Sequence, residues 1–293
     1  MDSITAGSLA IAFETAGPDD GWPVVLLHGF PYDPSSYEAV MPLLAAEGAR
    51  VIVPYLRGFG PTRFLSAETP RSGQQAAVGF DVLRLTEALQ LEAPILVGYD
   101  WGGRAACIAA ALWPGRFGGL VAIGGYSIQD IAGSVEPASP RDESLDWYQY
   151  YFHSERGRRG LAANRRELTA QLWREWAPGR DWVEADFERA AASFDNPDFV
   201  DVVIHSYRHR FGLVDGDPAF DHLERALATL PPVTIPTVVL DQGEDPMNTP
   251  APADEHREHL PALVAHRVVA AGHDLPRHAP AAVAEAVLAL RAS

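Results

Sequence analysis

The sequence contains a single cysteine, few basic residues relative to acidic ones, and no long apolar run. With Cys107 alone, the chain cannot form an internal disulfide or a multi-cysteine zinc site, and a reducing compartment is compatible with that count. The 23 basic residues face 39 acidic ones, which gives a formal net charge of −16. Because so acidic a chain repels phosphate backbones and anionic lipid, we expect no nucleic-acid partner and no membrane partner.

Signals for export or membrane insertion are also missing. The first residues carry neither the basic segment nor the apolar core of a signal peptide. The longest apolar stretch, residues 105–113, is far too short to cross a bilayer. We therefore expect a cytoplasmic protein.

The 293 residues, of which 47% are hydrophobic, are enough to bury a sizeable core. Apolar runs without polar alternation are typical of parallel strands that helices cover on both faces. We predict such buried strands at residues 23–27, 51–53, 95–97, 120–123, 237–240 and 266–269, and an antiparallel edge strand at 9–14. Predicted helices occupy residues 34–47, 72–90, 102–113, 252–260 and 280–290. This alternation predicts an α/β fold with a mostly parallel, doubly wound sheet, in which ligands bind at the carboxyl ends of the strands.

The strand pattern is interrupted in the middle of the chain. Between residues 127 and 232 there is no comparable buried-strand run, whereas tryptophans such as Trp147, Trp173 and Trp176 are frequent. We interpret residues 128–232 as a helical cap inserted between two strands of a core domain formed by residues 1–127 and 233–293. A separate C-terminal helical domain is disfavoured, because strands return after the insertion.

A Gly-x-Asp-x-Gly sequence directly follows one predicted strand. Gly98 and Gly102 flank Asp100, which stands where the G-x-S-x-G nucleophile elbow has its serine. The glycines are needed because the turn is sharp, and the following helix directs the positive end of its dipole at the carboxylate. We predict that Asp100 is an ionised nucleophile; the alternative is an aspartate that only caps the helix.

Two further loops supply a base and an acid. His273 follows the last predicted strand and can act as the general base. Asp245 follows the preceding strand and is our choice for the acid that orients the imidazole, with Asp241, Glu244 and Asp130 as alternatives. The chain order of nucleophile, acid and histidine is the one that a nucleophile elbow leads us to expect.

Together these segments resemble the α/β-hydrolase fold and, within it, the epoxide hydrolases. The resemblance rests on His-Gly-Phe-Pro at residues 28–31, Arg-Gly-Phe-Gly at 57–60 and the aspartate elbow at 98–103, and it extends over nearly the whole chain. It implies that the backbone N–H groups of Phe30 and Trp101 form an oxyanion hole.

The resemblance also assigns substrate-binding residues. Tyr148 and Tyr207 stand where epoxide hydrolases carry two tyrosines that bind the epoxide oxygen; for Tyr148, packing in an aromatic cluster is the alternative. We place Arg104 and His28 at the substrate site. We interpret His28 as holding its loop rather than as the base, and a structural salt bridge is the alternative for Arg104.

The nucleophile restricts the substrate. Carboxylate attack on saturated carbon gives an ester that water can cleave, whereas attack on an ester or amide gives an anhydride. We expect an epoxide hydrolase that forms a vicinal diol through an ester on Asp100, which water activated by His273 then hydrolyses, without cofactor or metal.

The alternatives are a haloalkane or fluoroacetate-type dehalogenase, which also uses an aspartate elbow, and a non-catalytic ligand-binding relative. A small-molecule epoxide is then the partner, and a homodimer is left open as the assembly.

Two histidine-containing clusters outside the proposed catalytic set are interpreted as surface features. His256 and His259 lie three residues apart on a predicted helix, which we interpret as a solvated face rather than a metal-binding pair. We interpret His205, Arg208, His209 and Arg210 as part of the cap surface; the alternative is an anion-binding edge of the pocket.

Overall fold

A central sheet organises the computed structural model, which describes residues 1–177 and 183–292. Its nine strands are β1 (Asp2–Ala6), β2 (Leu9–Ala16), β3 (Trp22–Leu27), β4 (Ala49–Pro54), β5 (Arg63–Phe64), β6 (Ile95–Tyr99), β7 (Gly119–Ile123), β8 (Thr237–Gln242) and β9 (Leu263–Val269). Their spatial order is β1-β2-β4-β3-β6-β7-β8-β9, and β5 pairs with β2. The pairs from β4 through β3 to β9 are parallel, whereas β2 is antiparallel to its neighbours.

The predicted strands are all present, with two corrections at the sheet edges. The strand predicted at residues 9–14 is antiparallel but not at the edge, because β1 pairs with its outer side through a hairpin that turns at Gly7. The strand predicted at 266–269 is not buried on both faces, because β9 is the last strand of the sheet. Val264 and Val268 are accordingly exposed.

The helices of the described residues fall into a core set and an inserted set. The core set is α1 (Val40–Ala46), α2 (Gln75–Ala88), α3 (Asp100–Leu112), α10 (Ala253–His259), α11 (Leu275–His278) and α12 (Pro280–Arg291). The inserted set is α4 (Pro140–Leu145), α5 (Trp147–His153), α6 (Glu155–Trp176), α7 (Val183–Ala190), α8 (Phe199–His209) and α9 (Asp221–Leu227). None of these helices is long and apolar enough to cross a membrane.

The sheet reverses its winding direction between β3 and β6. From β3 the chain crosses through α1 to β4 on one side, and from β6 it crosses through α3 to β7 on the other. Because such crossovers are right-handed, α1 and α3 cover opposite faces, and α12 packs beside α1 while α2 packs beside α3. A crevice opens at such a reversal outside the carboxyl ends of the strands. The loops that follow β3 and β6 meet at this point.

A buried ion pair stabilises the loop that follows β4. The Arg57 guanidinium donates two parallel hydrogen bonds to Asp81 of α2, at 2.6 and 2.7 Å, and a third at 2.7 Å to the Ser72 carbonyl. The Arg57 side chain is only 2% exposed. A charge buried so completely depends on its partner, since desolvation is otherwise uncompensated.

The variant Asp81→Asn is expected to lower the free energy of unfolding by about 3–5 kcal/mol, because it leaves the Arg57 charge buried without a counter-ion. Urea denaturation followed by circular dichroism measures this loss. The control is Asp254→Asn, which breaks the exposed Arg257–Asp254 pair and should change stability very little. Equal effects of the two variants would contradict the structural role of the buried pair.

Candidate active site

Asp100 occupies the tight turn between β6 and α3. Its backbone has φ of +52°, the left-handed conformation that L residues rarely adopt. A Cβ atom on Gly98 would clash with the Gly102 carbonyl, and one on Gly102 would clash with the Leu27 carbonyl. The two glycines therefore allow the turn to close against β3. The Phe30 backbone N–H, from the loop after β3, donates to Asp100 Oδ1 at 2.6 Å.

His273 lies between Asp100 and Asp245. Its Nδ1 hydrogen-bonds with Asp245 Oδ2 at 2.9 Å, and its Nε2 lies 3.8 Å from Asp100 Oδ2. Asp245 is held in turn by the Met247 N–H and the Asn248 amide, at 2.9 and 2.7 Å. The Nδ1 proton therefore points at Asp245, and Nε2 is directed toward Asp100.

Two of the other candidate acids, Asp130 and Asp241, contact different partners. Asp130 is exposed and accepts a hydrogen bond from the Gly133 N–H. Asp241 is buried and contacts His256 and His266. Of the acids weighed from the sequence, the structure brings Asp245 to the imidazole.

The local charges hold this pair in ionised form. Burial lowers the pKa of His273, but the charges and hydrogen bonds of Asp245 and Asp100 outweigh it and raise the pKa to about 10. Burial raises the pKa of Asp100, but His273, Arg104 and the Phe30 N–H outweigh it and hold the pKa below its ordinary value. At neutral pH the resting site therefore contains an imidazolium beside a carboxylate.

Tyr148 of α5 and Tyr207 of α8 face each other above the elbow. Both are buried, and their rings meet edge to face with centroids 5.4 Å apart. The Phe30 ring lies 6.3 Å from Tyr148 and 5.4 Å from Tyr207. Burial raises the pKa of both hydroxyls well above the ordinary value of 10. Both are therefore protonated at neutral pH and able to donate a hydrogen bond.

Arg104 lies one turn after Asp100 on α3. Burial lowers its pKa to about 9, and the positive charge of Arg210 adds to this effect, while Asp100 opposes it. Its guanidinium makes no salt bridge within the described part of the chain, where the structural ion pair weighed from the sequence has no partner. Arg104 therefore remains a cation at neutral pH, within electrostatic range of Asp100, Tyr148 and Tyr207.

His28 forms hydrogen bonds to backbone groups through both of its ring nitrogens. Its Nε2 accepts from the Leu56 N–H at 3.1 Å, so its Nδ1 carries the proton and donates to the Gly29 carbonyl at 2.9 Å. Burial lowers its pKa to about 4, which keeps the ring neutral. Both ring nitrogens are hydrogen-bonded to backbone groups, which favours the interpretation that His28 holds its loop over a role in substrate binding.

Trp101 follows Asp100 directly, in the first turn of α3, and its indole stacks on the Phe30 ring at 5.5 Å. Because Trp101 is the residue after Asp100, its backbone N–H lies next to the elbow. The role of this N–H in an oxyanion hole stays a prediction.

Three residues around the site were missed by sequence reasoning. Trp176 packs on the His273 ring at 4.8 Å, and Tyr32 lies 6.1 Å from the same ring. Arg210 lies over the Tyr207 ring at 4.8 Å and donates to Gln149 at 2.7 Å, although we had interpreted it as cap surface. Trp176 ends α6 and Arg210 follows α8, and neither position in the sequence identifies what the side chain contacts.

Comparisons with known proteins identify the family to which the chain belongs. The family described as alpha/beta hydrolase fold matches residues 23–276. The chain belongs to the α/β-hydrolase fold family. A solved structure from Klebsiella pneumoniae subsp. pneumoniae, provisionally assigned as an epoxide hydrolase, is 42% identical, with a TM-score of 0.93 over 99% of this chain and 97% of that one.

Curated relatives of this α/β-hydrolase match over shorter stretches. Epoxide hydrolase B of Mycobacterium tuberculosis is 32% identical in an alignment of 159 residues that covers 50% of this chain and 44% of that protein. A haloalkane dehalogenase of Mycobacterium marinum is 38% identical over 114 residues, 38% of this chain and 36% of that protein. The chain thus matches less than half the length of either relative.

Proposed function

We propose that this α/β-hydrolase is an epoxide hydrolase that opens an epoxide to a vicinal diol. The observation that carries the proposal is an ionised aspartate at the elbow, paired with a histidine–aspartate couple and covered by two protonated tyrosines. In this proposal residues 128–232 form the cap that brings Tyr148 and Tyr207 to the core.

In the first step Asp100 attacks one epoxide carbon from the side opposite the ring oxygen. The carbon–oxygen bond breaks, an ester forms on Asp100, and the oxygen takes a proton from Tyr148 or Tyr207. A phenol is a suitable donor because its ordinary pKa of about 10 is closer to neutrality than that of bulk water. The tyrosinate is then reprotonated by His273 through solvent.

In the second step the neutral His273 removes a proton from water, and the hydroxide attacks the ester carbonyl of Asp100. The Phe30 and Trp101 N–H groups stabilise the oxyanion; losing one such donor typically costs about 2.7–4 kcal/mol. Collapse releases the diol and restores the Asp100 carboxylate beside the imidazolium. The proton count closes over the cycle, and one water is consumed for each epoxide.

A substrate panel tests this function directly. Purified protein is incubated with aryl epoxides, aliphatic epoxides, haloalkanes and fluoroacetate, while diol and halide are measured. Diol formation without halide release supports the proposal. Halide release without diol formation overturns it in favour of a dehalogenase.

The dehalogenase alternative rests on two observations. The Mycobacterium marinum relative is named a haloalkane dehalogenase, and Arg104 is a cation near Asp100 without a salt-bridge partner among the described residues. Two protonated phenols argue against it, since a halide leaving group needs no proton donor.

The variants Tyr148→Phe and Tyr207→Phe are each expected to slow formation of the Asp100 ester by about 10²- to 10⁴-fold, the range typical of a lost general acid. Hydrolysis of the ester should be little affected. Rapid-quench kinetics separate the two steps. Tyr151→Phe on the same helix is the matched control. If neither variant nor the double variant slows ester formation, the tyrosines are not the acid.

Arg104→Gln is expected to weaken binding of a carboxylated epoxide. A charge-assisted hydrogen bond is worth about 1.5–3 kcal/mol, so the KM should rise by about 10- to 100-fold. The matched control is the primary amide of the same substrate, whose KM should change much less. An equal change for acid and amide would show that Arg104 does not bind the carboxylate.

A further inference from the structure

Two histidines and one aspartate converge outside the proposed active site. Asp241 on β8, His256 on α10 and His266 on β9 each contribute one side-chain atom to the cluster. The Nε2 atoms of His256 and His266 lie 3.0 and 2.9 Å from Asp241 Oδ2. The three atoms all lie within 4.8 Å of one another.

The sheet register explains why these side chains meet. In the parallel pair β8–β9, Val239 is opposite His266, and residues two apart on a strand share a face. Asp241 and His266 therefore project from the same face, and α10 brings His256 to it. His256 is buried, so the earlier interpretation of this position as solvated is wrong.

We propose that Asp241, His256 and His266 bind a divalent transition-metal cation such as Zn²⁺. Imidazole and carboxylate ligands suit Zn²⁺ and Co²⁺, whereas Mg²⁺ and Ca²⁺ prefer ligands that are all oxygen. Ligands about 2.1 Å from a tetrahedral metal are ~3.4 Å apart. The two separations from Asp241 Oδ2, at 3.0 and 2.9 Å, need to grow by only a few tenths of an ångström to reach this value.

The position of the cluster indicates a structural role. Asp241 Oδ2 also accepts a hydrogen bond from the Ala251 N–H at 3.2 Å. This bond closes the loop between residues 241 and 251, and that loop carries Asp245. His266 lies on the strand that leads to His273. A cation here would fix the loops of both residues without contacting substrate.

A cluster held only by hydrogen bonds is the competing explanation. In that case both Nε2 atoms carry protons and donate to Asp241. In a metal site both Nε2 atoms have lost their protons and direct lone pairs at the cation. Metal titration distinguishes the two cases because it needs no knowledge of the substrate and no activity measurement.

The experiment uses the untagged 293-residue chain after treatment with a chelator. Titration with Co²⁺ should give one equivalent bound and a visible absorption stronger than that of Co²⁺ in water. One equivalent of Zn²⁺ should abolish that absorption and raise the thermal midpoint by several degrees, because the cation binds only the folded state.

The variants His256→Asn and His266→Asn should each weaken Co²⁺ binding at least tenfold. The matched controls are His259→Asn, one turn along α10, and His222→Asn, which is exposed on α9; neither should alter binding. The absorption of Co²⁺ bound to the wild-type protein tests the proposed metal site even if a variant fails to fold. Absorption like that of Co²⁺ in water, or equal losses in all four variants, would overturn the proposal.

Discussion

Asp100→Ala is expected to reduce diol formation by about 10⁴- to 10⁶-fold, the scale of losses on removal of a catalytic nucleophile. Alanine lacks the carboxylate that must bond to the epoxide carbon, so the covalent route closes entirely. Steady-state assays of diol product with the best substrate of the panel measure this loss.

The same variant should change the titration of His273. The Asp100 charge and hydrogen bond help to raise the pKa of His273 to about 10, so their removal must lower that pKa. Nuclear magnetic resonance of the imidazole gives this value without any substrate. An unchanged pKa would show that the two side chains do not interact in solution.

The matched control is Asp130→Ala. This exposed aspartate accepts one hydrogen bond from the Gly133 N–H, and it should be replaceable with little loss of activity. Substantial diol formation by Asp100→Ala would contradict a covalent mechanism. In wild-type protein, a single turnover in ¹⁸O-labelled water should place the label in the Asp100 carboxyl group, and only repeated turnover should carry it into the diol.

The chemistry-bearing segments could be predicted because each is defined by local sequence. The elbow needs small residues at Gly98 and Gly102, since any Cβ there would clash with nearby backbone, and such a requirement is visible in a few consecutive letters. Buried parallel strands are also visible, because both their faces are apolar. The fold family could therefore be inferred before any coordinates.

The remainder depends on contacts between residues that are distant in the chain. Nothing near Trp176 indicates that its ring packs on His273, almost a hundred residues later, and nothing near His256 indicates that β8 and β9 place Asp241 and His266 beside it. The outer strand β1 was missed because only its final residue, Ala6, is buried, so its sequence carries little apolar signal.

The two steps of the proposed reaction place opposite demands on His273. Before substrate binds, the pKa of His273 is about 10. The ring is therefore a protonated imidazolium beside the Asp100 carboxylate and cannot act as a base. Esterification of Asp100 removes one negative charge from its vicinity, so the pKa must fall toward the ordinary value of 6.5. The nucleophile thus converts its neighbour into a base at the moment when a base is required.

His273→Gln is therefore expected to trap the intermediate. Ester formation requires only the Asp100 carboxylate and a proton donor, whereas ester hydrolysis requires a base that glutamine cannot supply. Intact-protein mass spectrometry after exposure to substrate should show one adduct equal to the mass of the epoxide. Peptide mapping should locate the adduct at Asp100, and multiple turnover should fall by about 10²- to 10⁴-fold or more.

The double variant Asp100→Ala/His273→Gln is the control and should give no adduct. In wild-type protein, the hydrolysis rate should rise with pH as the lowered pKa of His273 is passed, because only the neutral imidazole accepts a proton from water. His273→Gln should lose this pH dependence. Rapid turnover by His273→Gln, with no adduct at any time, would mean that water reaches the ester without this base and that the assignment of His273 is wrong.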